Sequence, residues 1–306
     1  MEASTGSLLA WVILAAVSCV GLVLWVRYWR VPLWRRAEYF VNRSAQVRWG
    51  FLDVLIVLFV WLSSQVAVVF VLDRVAGIRL GDPMSDLAHS VLIGVTAVSQ
   101  LLVVIGLFAL LVIRYRHRLH EFGLTIGQLH EGVRWGLIGF AMWMPIVWLV
   151  QMILVMFIEY EHPTLQKLQE SPSPLVLGMV WISAVVVAPI VEEVLFRGVL
   201  QGWLQRIRPG ALDDPNSLIV GAAQHEIAES TSQKKAQSLQ IWPIVITSVL
   251  FGLAHYSQGP APISLFVLSL GLGYLYQRTG SLLACIFVHA LLNGITMLIQ
   301  TVDVYL

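Results

Sequence analysis

The sequence predicts an all-α polytopic membrane protein, a bundle of about eight transmembrane helices, on three observations. Of its 306 residues, 58% are hydrophobic and only 12% are charged, whereas soluble globular proteins carry about 25% charged residues. The apolar residues form long runs, each near the roughly 20 residues that cross a bilayer as a helix. The basic residues fall in alternate loops between these runs. These observations exclude a soluble enzyme, and the net charge of +1 gives no indication of nucleic-acid binding.

The apolar runs define the predicted helices and two regions of the chain. The first four runs lie in an N-terminal region, 1–174, and the last four in a core, 175–300. A polar stretch at 205–241 interrupts the core and is predicted to be a cytoplasmic loop. No basic residue precedes the first run and several follow it, so we interpret it as a permanent span rather than a signal peptide. The eight predicted spans are 8–26, 51–72, 90–113, 135–158, 175–203, 242–256, 262–277 and 281–300.

The distribution of basic residues predicts the orientation of the spans. Of the 19 basic residues, fifteen lie in the loops after spans one, three, five and seven, and three lie on the opposite side. The remaining one, Arg197, is inside a span. Basic loops stay in the cytoplasm, so we expect a multi-pass integral membrane protein with both termini outside. In a prokaryote it would lie in the plasma membrane.

Two carboxylates stand inside the fifth apolar run. Glu192 and Glu193 have apolar neighbours on both sides, and a carboxylate near the bilayer centre costs roughly 2.5–3.5 kcal/mol. Arg197 follows Glu193 by four residues, so the two side chains share a helix face and are predicted to form an ion pair. Glu192 has no such partner and is predicted to face a water-filled cavity.

Two other spans carry polar side chains at a comparable depth. His255 ends the sixth run, while His289 and Asn293 lie one turn apart on the same face of the eighth. At about 1.5 Å per residue, His255, His289 and Glu192 lie about 20, 12 and 17 Å from the cytoplasmic side. This estimate requires that the fifth helix continue beyond Ile190 to about residue 203. We therefore expect one polar layer in the cytoplasmic half of the membrane.

These residue types suit hydrolysis of a peptide bond. A carboxylate in low dielectric is able to act as a general base toward water, and a histidine shares that water or binds a metal. A second histidine with an amide is able to donate hydrogen bonds to a developing oxyanion. Taken alone, the Glu193–Arg197 pair is more typical of a structural ion pair than of a catalytic site. A single histidine inside a span is about as typical of a hydrogen bond between helices as of a functional site. The joint occurrence of three polar sets favours a functional site.

Three motifs at these residues resemble a known family. The family is that of the CPBP intramembrane proteases, which include CAAX prenyl endopeptidases of the Rce1 type and bacterial Abi-like proteins. The resemblance covers about 175–300, and the ordered set of three motifs is much more specific than any one of them. The motifs stand here as Glu192-Glu193-Val-Leu-Phe-Arg197, Phe251-Gly-Leu-Ala-His255 and His289-Ala-Leu-Leu-Asn293.

The resemblance implies an intramembrane endopeptidase that acts on a membrane-associated protein or peptide, prenylated at a CAAX terminus in the named relatives. It implies that Glu192 activates the water, that His255 shares this water, and that Glu193 with Arg197 orients the site. His289 and Asn293 would stabilise the oxyanion. Zinc, if the enzyme uses a metal, would be held by Glu192, His255 and His289, although no His-Glu-x-x-His motif is present. The expected partners are membrane lipid and the substrate, without nucleic acid.

Two other classes of function remain open from the sequence. A non-catalytic scaffold or bacteriocin-immunity-type protein would keep the same fold and use the polar layer to bind a peptide. An ion-coupled transporter would more usually show broken helices in inverted repeats, and the sequence has no evident repeat. The remaining histidines, among them His117, are predicted to be solvated in loops or at span edges.

Overall fold

The computed structural model describes residues 5–29, 47–79, 84–158, 173–207 and 240–305. This part of the chain is helical without strands, which confirms the predicted all-α class, and a helix lies at each of the eight predicted spans. Most of the predicted loop 205–241 lies outside the described residues. The helices are α1 Thr5–Trp29, α2 Phe51–Ala76, α3 Asp86–Arg114, α4 Leu129–Val155, α5 Pro174–Arg206, α6 Ile241–Ala254, α7 Ala261–Thr279 and α8 Leu282–Tyr305.

Six of the helices in the described ranges are long and apolar enough to cross a membrane, namely α1 to α5 and α8. Helix α6 has 14 residues and is about 21 Å long, which is shorter than the roughly 30 Å of hydrocarbon in a bilayer. It packs along α7, to which residues 255–260 connect it. The eight predicted spans therefore correspond to six full-length helices and a hairpin formed by α6 and α7, in which α6 is the shorter helix.

Helix α5 lies at the centre of the bundle. Helix α3 packs along it on one side, and α6, α7 and α8 contact it on the others, while α4 and α1 lie behind α7 and α8. Leu195 of α5 and Leu268 and Leu272 of α7 are almost fully buried in the resulting core. Side chains in the middle of α5 are therefore held by four neighbouring helices.

The continuation of α5 beyond Ile190 is confirmed, because the helix ends at Arg206. Its end is attached to the start of α2 by side-chain hydrogen bonds. Arg206 Nη1 donates to the carbonyls of Arg48 and Trp49, each at 3.0 Å. Trp49 Nε1 donates in turn to the Val199 carbonyl at 3.1 Å. These bonds fix the C-terminal half of α5 relative to α2, and with it the position of Glu192 in the bundle.

Trp49 is the centre of a buried polar and aromatic group that we call the Trp49 cluster. Its indole ring is fully buried and stacks on Phe122, with ring centroids 5.9 Å apart. The members of the cluster are Arg48, Trp49, Gly50, Asp53, Tyr115, His117, Glu121, Phe122 and Arg206.

Two acidic side chains complete the hydrogen bonds of the Trp49 cluster. Asp53 accepts from the Tyr115 hydroxyl at 2.6 Å, and burial together with this carboxylate raises the pKa of Tyr115, so the phenol remains a donor. His117 Nδ1 lies 2.7 Å from Glu121 and its Nε2 accepts from the Arg48 N–H. The prediction that His117 is solvated is wrong: its side chain is 4% exposed, because both ring nitrogens have protein partners.

Helices α6 and α7 approach each other closely one turn before His255. A Cβ atom at Gly252 would lie 2.9 Å from the Pro262 carbonyl oxygen and 3.3 Å from the Phe266 Cβ. Only a residue without a side chain leaves room for this contact, as is common where membrane helices touch. The small residue in the Phe-x-x-x-His motif thus sets how close the tip of α6 lies to α7.

Candidate active site

The two carboxylates lie between two distortions of α5. The segment Ala188–Glu193 is α-helical, whereas Ile182–Val187 before it and Val194–Gln201 after it are π-helical. Such π segments are rare and occur frequently at functional sites. Pro189 adds a third irregularity, because it has no N–H to donate to the preceding turn. The backbone that carries Glu192 is therefore unusual on both sides.

Glu193 joins two of the predicted site residues. Its Oε2 accepts from Arg197 Nε at 3.0 Å, and its Oε1 lies 2.9 Å from His289 Nδ1. The Glu193 and Arg197 side chains are 0% exposed and that of His289 is 4% exposed. The ion pair expected from the four-residue spacing is present, and it extends across the bundle to α8.

Arg197 is held by side chains from three helices. Besides Glu193, it donates from Nη2 to the Ser269 hydroxyl of α7 at 2.8 Å. Its guanidinium carbon lies 5.5 Å from the ring centroid of Phe251 in α6, a distance at which a cation is attracted by an aromatic face. The same ring packs against His255, with centroids 4.9 Å apart. Arg197 thus links α5, α6 and α7 at the level of the site.

Glu192 points toward both histidines. Its Oε2 lies 3.7 Å from His255 Nε2 and 3.9 Å from His289 Nε2, which is longer than a direct hydrogen bond. The Glu192 side chain is 21% exposed, yet its Oε2 is buried and has no hydrogen-bond partner among the described residues. A water molecule about 2.8 Å from each atom bridges separations of this size. The three atoms therefore face one another at separations that a single water would bridge.

The histidine rings are oriented by their other nitrogens. His255 Nδ1 lies 2.7 Å from the Phe251 carbonyl oxygen, which only accepts hydrogen bonds, so this nitrogen carries the hydrogen. His289 Nδ1 faces the Glu193 carboxylate in the same way. A partner at one ring nitrogen fixes which form the other presents. In both rings, Nε2 is therefore the nitrogen that faces Glu192.

Asn293 contacts the backbone of α5. Its Nδ2 donates to the Ala184 carbonyl at 2.8 Å, inside the first π segment. A π-helical carbonyl pairs with the N–H five residues later, and for Ala184 that residue is Pro189, which has none. The Asn293 amide supplies the missing donor. It makes no hydrogen bond to another predicted site residue within the described ranges.

The structure brings most of the predicted site residues together and adds one. Asn293 lies one turn further along α8, attached to the helix that carries the carboxylates. Ser269 was not predicted, because a lone serine in the apolar run of α7 carries no signal that relates it to Arg197, 72 residues earlier. The five residues joined in one cluster are Glu192, Glu193, Arg197, His255 and His289.

The donor atoms have suitable chemistry for zinc but not the spacing. At Zn–N and Zn–O distances of about 2.0–2.1 Å, two ligands of a tetrahedral ion lie about 3.3 Å apart. The Glu192 oxygen is 3.7 and 3.9 Å from the two imidazole nitrogens. Among the described residues, no group of three His, Cys, Asp or Glu side chains is arranged to hold a metal ion. As placed, these residues do not fit zinc.

Comparison with protein families gave one match that bears on this region. The family of type II CAAX prenyl endopeptidases, Rce1-like, matches residues 174–295. Comparison with curated proteins and comparison with solved structures each gave no match. The matched segment begins with α5 and contains all six predicted site residues, and it confirms the resemblance that the three motifs predict. Residues 174–295 of this multi-pass membrane protein are therefore similar to the Rce1-like family, and the match supports a CAAX-type intramembrane protease in general.

Proposed function

We propose that the chain is an intramembrane endopeptidase that hydrolyses a peptide bond of a membrane-associated protein with a water activated by Glu192. The family match supports an intramembrane protease in general. The finer proposal depends on one observation, the Glu192 carboxylate oxygen that is buried without a partner and faced by two imidazole nitrogens. An unpaired buried acceptor is costly, and a bound water removes that cost.

In the proposed reaction, Glu192 accepts a proton from the water while the water oxygen attacks the carbonyl carbon of the substrate. His255 Nε2 accepts a hydrogen bond from the other hydrogen of the same water, which stays on its oxygen, and so holds the water in position. When the tetrahedral intermediate collapses, Glu192 returns the proton to the leaving amine. The bond that breaks is the C–N bond of the peptide, and the products are a carboxylic acid and an amine.

The position of His289 supports a role in stabilising the oxyanion. Its Nδ1 lies in hydrogen-bond contact with Glu193, which fixes the ring, and its Nε2 lies 3.9 Å from Glu192 Oε2. In the proposed reaction, His289 donates a hydrogen bond from Nε2 to the oxyanion. An amide nitrogen carries two hydrogens, and Asn293 has one beyond its bond to Ala184.

The other residues position this centre. Glu193, Arg197 and Ser269 form a buried chain of hydrogen bonds that fixes His289 from behind. We propose that 175–300 is the catalytic core and that the region 1–174 supports it, because α1 and α4 pack on α7 and α8. A substrate with a prenylated CAAX terminus accords with the description of the matched family, and we include this substrate class in the proposal.

The experiment compares membranes of cells that produce the wild-type chain with those that produce Glu192→Gln. The amide keeps the shape of the side chain and removes the proton acceptor, so hydrolysis should fall by about 10²–10⁴ while the protein accumulates normally. The measurement is the set of new peptide ends in the membrane proteome, and then the rate on the substrate that these ends identify.

A matched control is Glu121→Gln, which makes the same change in the Trp49 cluster and should leave the rate per folded molecule unchanged. If Glu192→Gln retains the full biological activity of the chain, the protein acts by binding and the non-catalytic scaffold is the correct class.

A further inference from the structure

We infer that Phe251 is a positioning residue of the candidate site, whose ring keeps the imidazoles of His255 and His289 directed at Glu192. This inference rests on the proposed protease function and adds a residue to that site. Phe251 lies in the last turn of α6, four residues before His255. Its side chain is 0% exposed, so it acts through its neighbours rather than on the substrate.

The Phe251 ring contacts both imidazoles of the site. Its centroid lies 4.9 Å from that of His255, with the planes inclined at 38°, and 5.9 Å from that of His289, with the planes inclined at 66°. Both separations fall in the range of about 4.5–7 Å over which aromatic rings attract each other. One rigid ring therefore packs against two histidines, one at the end of α6 and the other in α8.

The hydrogen bonds at Nδ1 alone leave each imidazole some freedom. His255 Nδ1 donates to the Phe251 carbonyl at 2.7 Å, and His289 Nδ1 lies 2.9 Å from Glu193. A hydrogen bond weakens steeply only below about 120°, so each ring is able to tilt about its Nδ1 contact and displace Nε2. Packing against Phe251 restricts this tilt, because the phenyl ring is fully enclosed and is not able to follow.

The Phe251 ring is held in turn by two consecutive residues of α5. Phe196 packs edge to face with it, at a centroid distance of 5.0 Å and an angle of 74°. Arg197 Cζ lies 5.5 Å from the ring centroid, close enough for a cation–π contact. Arg197 Nη1 has no hydrogen-bond partner in the described part of the chain, so the aromatic ring adds an electrostatic contact to a guanidinium that is only partly hydrogen-bonded. Phe251 thus relates both histidines to the helix that carries Glu192.

Loss of this ring should slow the chemical step and leave substrate binding almost unchanged. In the proposed reaction, His255 holds the water and His289 stabilises the oxyanion, and both act during hydrolysis. A displacement of about 1 Å in an active site is able to cost about 10²-fold in rate. The loss of an interaction made only in the transition state lowers kcat and kcat/KM equally, so KM should stay close to the wild-type value.

The kinetic test is Phe251→Leu in the full chain, assayed on the substrate that the comparison with Glu192→Gln identifies. Leucine retains the apolar character and the backbone carbonyl that orients His255, and it removes the flat ring. We expect kcat per folded molecule to fall by about 10²-fold at nearly constant KM. The matched control is Phe140→Leu, which removes another buried ring, packed 6.0 Å from Trp148. It should lower the melting temperature without lowering kcat.

A second measurement needs neither substrate nor activity. Nitrogen-15 NMR of protein with labelled histidine reports on the ring nitrogens, and the signals of His255 and His289 are assigned by their loss in His255→Ala and His289→Ala. We expect both sets of signals to broaden or double in Phe251→Leu and to match the wild type in Phe140→Leu. An inactive scaffold would show the same change, so a failure of the protease proposal is distinguishable from a failure of this inference.

A wild-type kcat in Phe251→Leu would overturn the inference, because the ring would then serve packing alone. A rise in KM without a fall in kcat would also overturn it, since the ring would then act on substrate binding. Histidine signals in Phe251→Leu that match the wild type would exclude the positioning role directly. If Phe251→Leu does not accumulate, Phe251→Met serves in both measurements, because methionine fills irregular core space without a flat ring.

Discussion

The Trp49 cluster and the candidate site are both polar groups buried among helices, and they differ in how their hydrogen bonds are satisfied. In the Trp49 cluster, Asp53 accepts from Gly50 and Tyr115, and His117 has a partner at each ring nitrogen. In the site, Glu192 Oε2 and Arg197 Nη1 have no hydrogen-bond partner within the described chain. The hydrogen bonds of Asp53 and His117 in the Trp49 cluster are thus made within the protein. In the site, the Glu192 oxygen instead faces the Nε2 atoms of His255 and His289 without a direct hydrogen bond.

This difference indicates what each cluster does. Buried polar groups are normally paired, so an unpaired one in a native structure needs an explanation, such as a bound water or a catalytic role. The paired residues of the Trp49 cluster attach α5 to α2 and are expected to contribute stability alone. Under the proposed function, Glu192 presents its oxygen to a substrate or water, and its replacement is expected to affect activity more than stability. Mutations in the Trp49 cluster are therefore expected to lower stability, whereas mutation of Glu192 is expected to lower activity.

The largest effect is expected from Arg197→Ala, which should lower both stability and activity. The change leaves Glu193 buried without its counter-charge, at a cost of roughly 3–5 kcal/mol in the free energy of unfolding, and it releases His289 from its fixed position. We expect poor accumulation, a lower melting temperature and loss of hydrolysis. The measurement is thermal unfolding of the purified protein in lipid nanodiscs together with the yield.

The matched control for this change is Arg134→Ala, an exposed arginine 3.6 Å from Glu131, which should shift stability by less than about 1 kcal/mol. Equal melting temperatures for Arg197→Ala and the wild type would mean that Glu193 does not depend on Arg197.

A smaller effect is expected from Trp49→Phe, which acts on the Trp49 cluster alone. The change keeps an aromatic ring and removes the indole N–H, so the Val199 carbonyl keeps the Gly202 N–H and loses its second donor, at a cost of about 1 kcal/mol. The rate of hydrolysis per folded molecule should not change, as measured on the fraction that survives purification. A lower rate at unchanged stability would show that the two clusters are coupled and would break the distinction between them.

A third prediction concerns the contact of Asn293 with the π segment. Asn293→Ala leaves the Ala184 carbonyl unpaired and should destabilise the protein by about 1–2 kcal/mol. Pro189→Ala restores an N–H at position 189, so the asparagine change should cost less in that background. A double-mutant cycle on melting should give a coupling of about 1 kcal/mol. Additive effects would indicate that Asn293 does not replace the donor that proline lacks.

The smallest effect is expected from metal removal. Because the Glu192 oxygen stands too far from His255 and His289 to share an ion with them, hydrolysis should persist after dialysis against a strong chelator. The assay is the rate before dialysis, after dialysis and after addition of zinc. Loss of activity with recovery on zinc would show that the three side chains close on a metal, and Glu192 would then be a ligand.

The positions of the helices could be predicted because their signal is local. Apolar runs and loop charges place all eight helices, and the amphipathic continuation after Ile190 predicts that α5 extends to about 203, close to its end at Arg206. The predicted sixth span, 242–256, also ends close to the end of α6 at Ala254, and the Gly259-Pro260 pair that follows is typical of a break between helices.

The contacts within the site were predictable only where residues share a helix. The Glu193–Arg197 pair follows from a four-residue spacing, whereas the bonds to Ser269 and His289 depend on how three helices pack. The burial of His117 is likewise a tertiary effect, because its position after α3 suggests a solvated loop until Trp49 and Phe122 cover it. Asn293 shows a further limit: its partner is a carbonyl left free by the π winding of α5.

The spacing of the contacts around Arg197 bears on how the protein is made. Its partner Glu193 is four residues away, whereas Ser269 is separated by 72 residues and Glu193 from His289 by 96. At about 5–20 residues per second, the ribosome completes Ser269 about 4–14 s after Arg197. During that interval the guanidinium has a carboxylate on its own helix, so α5 is able to enter the lipid bilayer before α7 and α8 are synthesised. On this order of synthesis, we expect Glu193 to neutralise Arg197 during membrane insertion, before Ser269 and His289 are available.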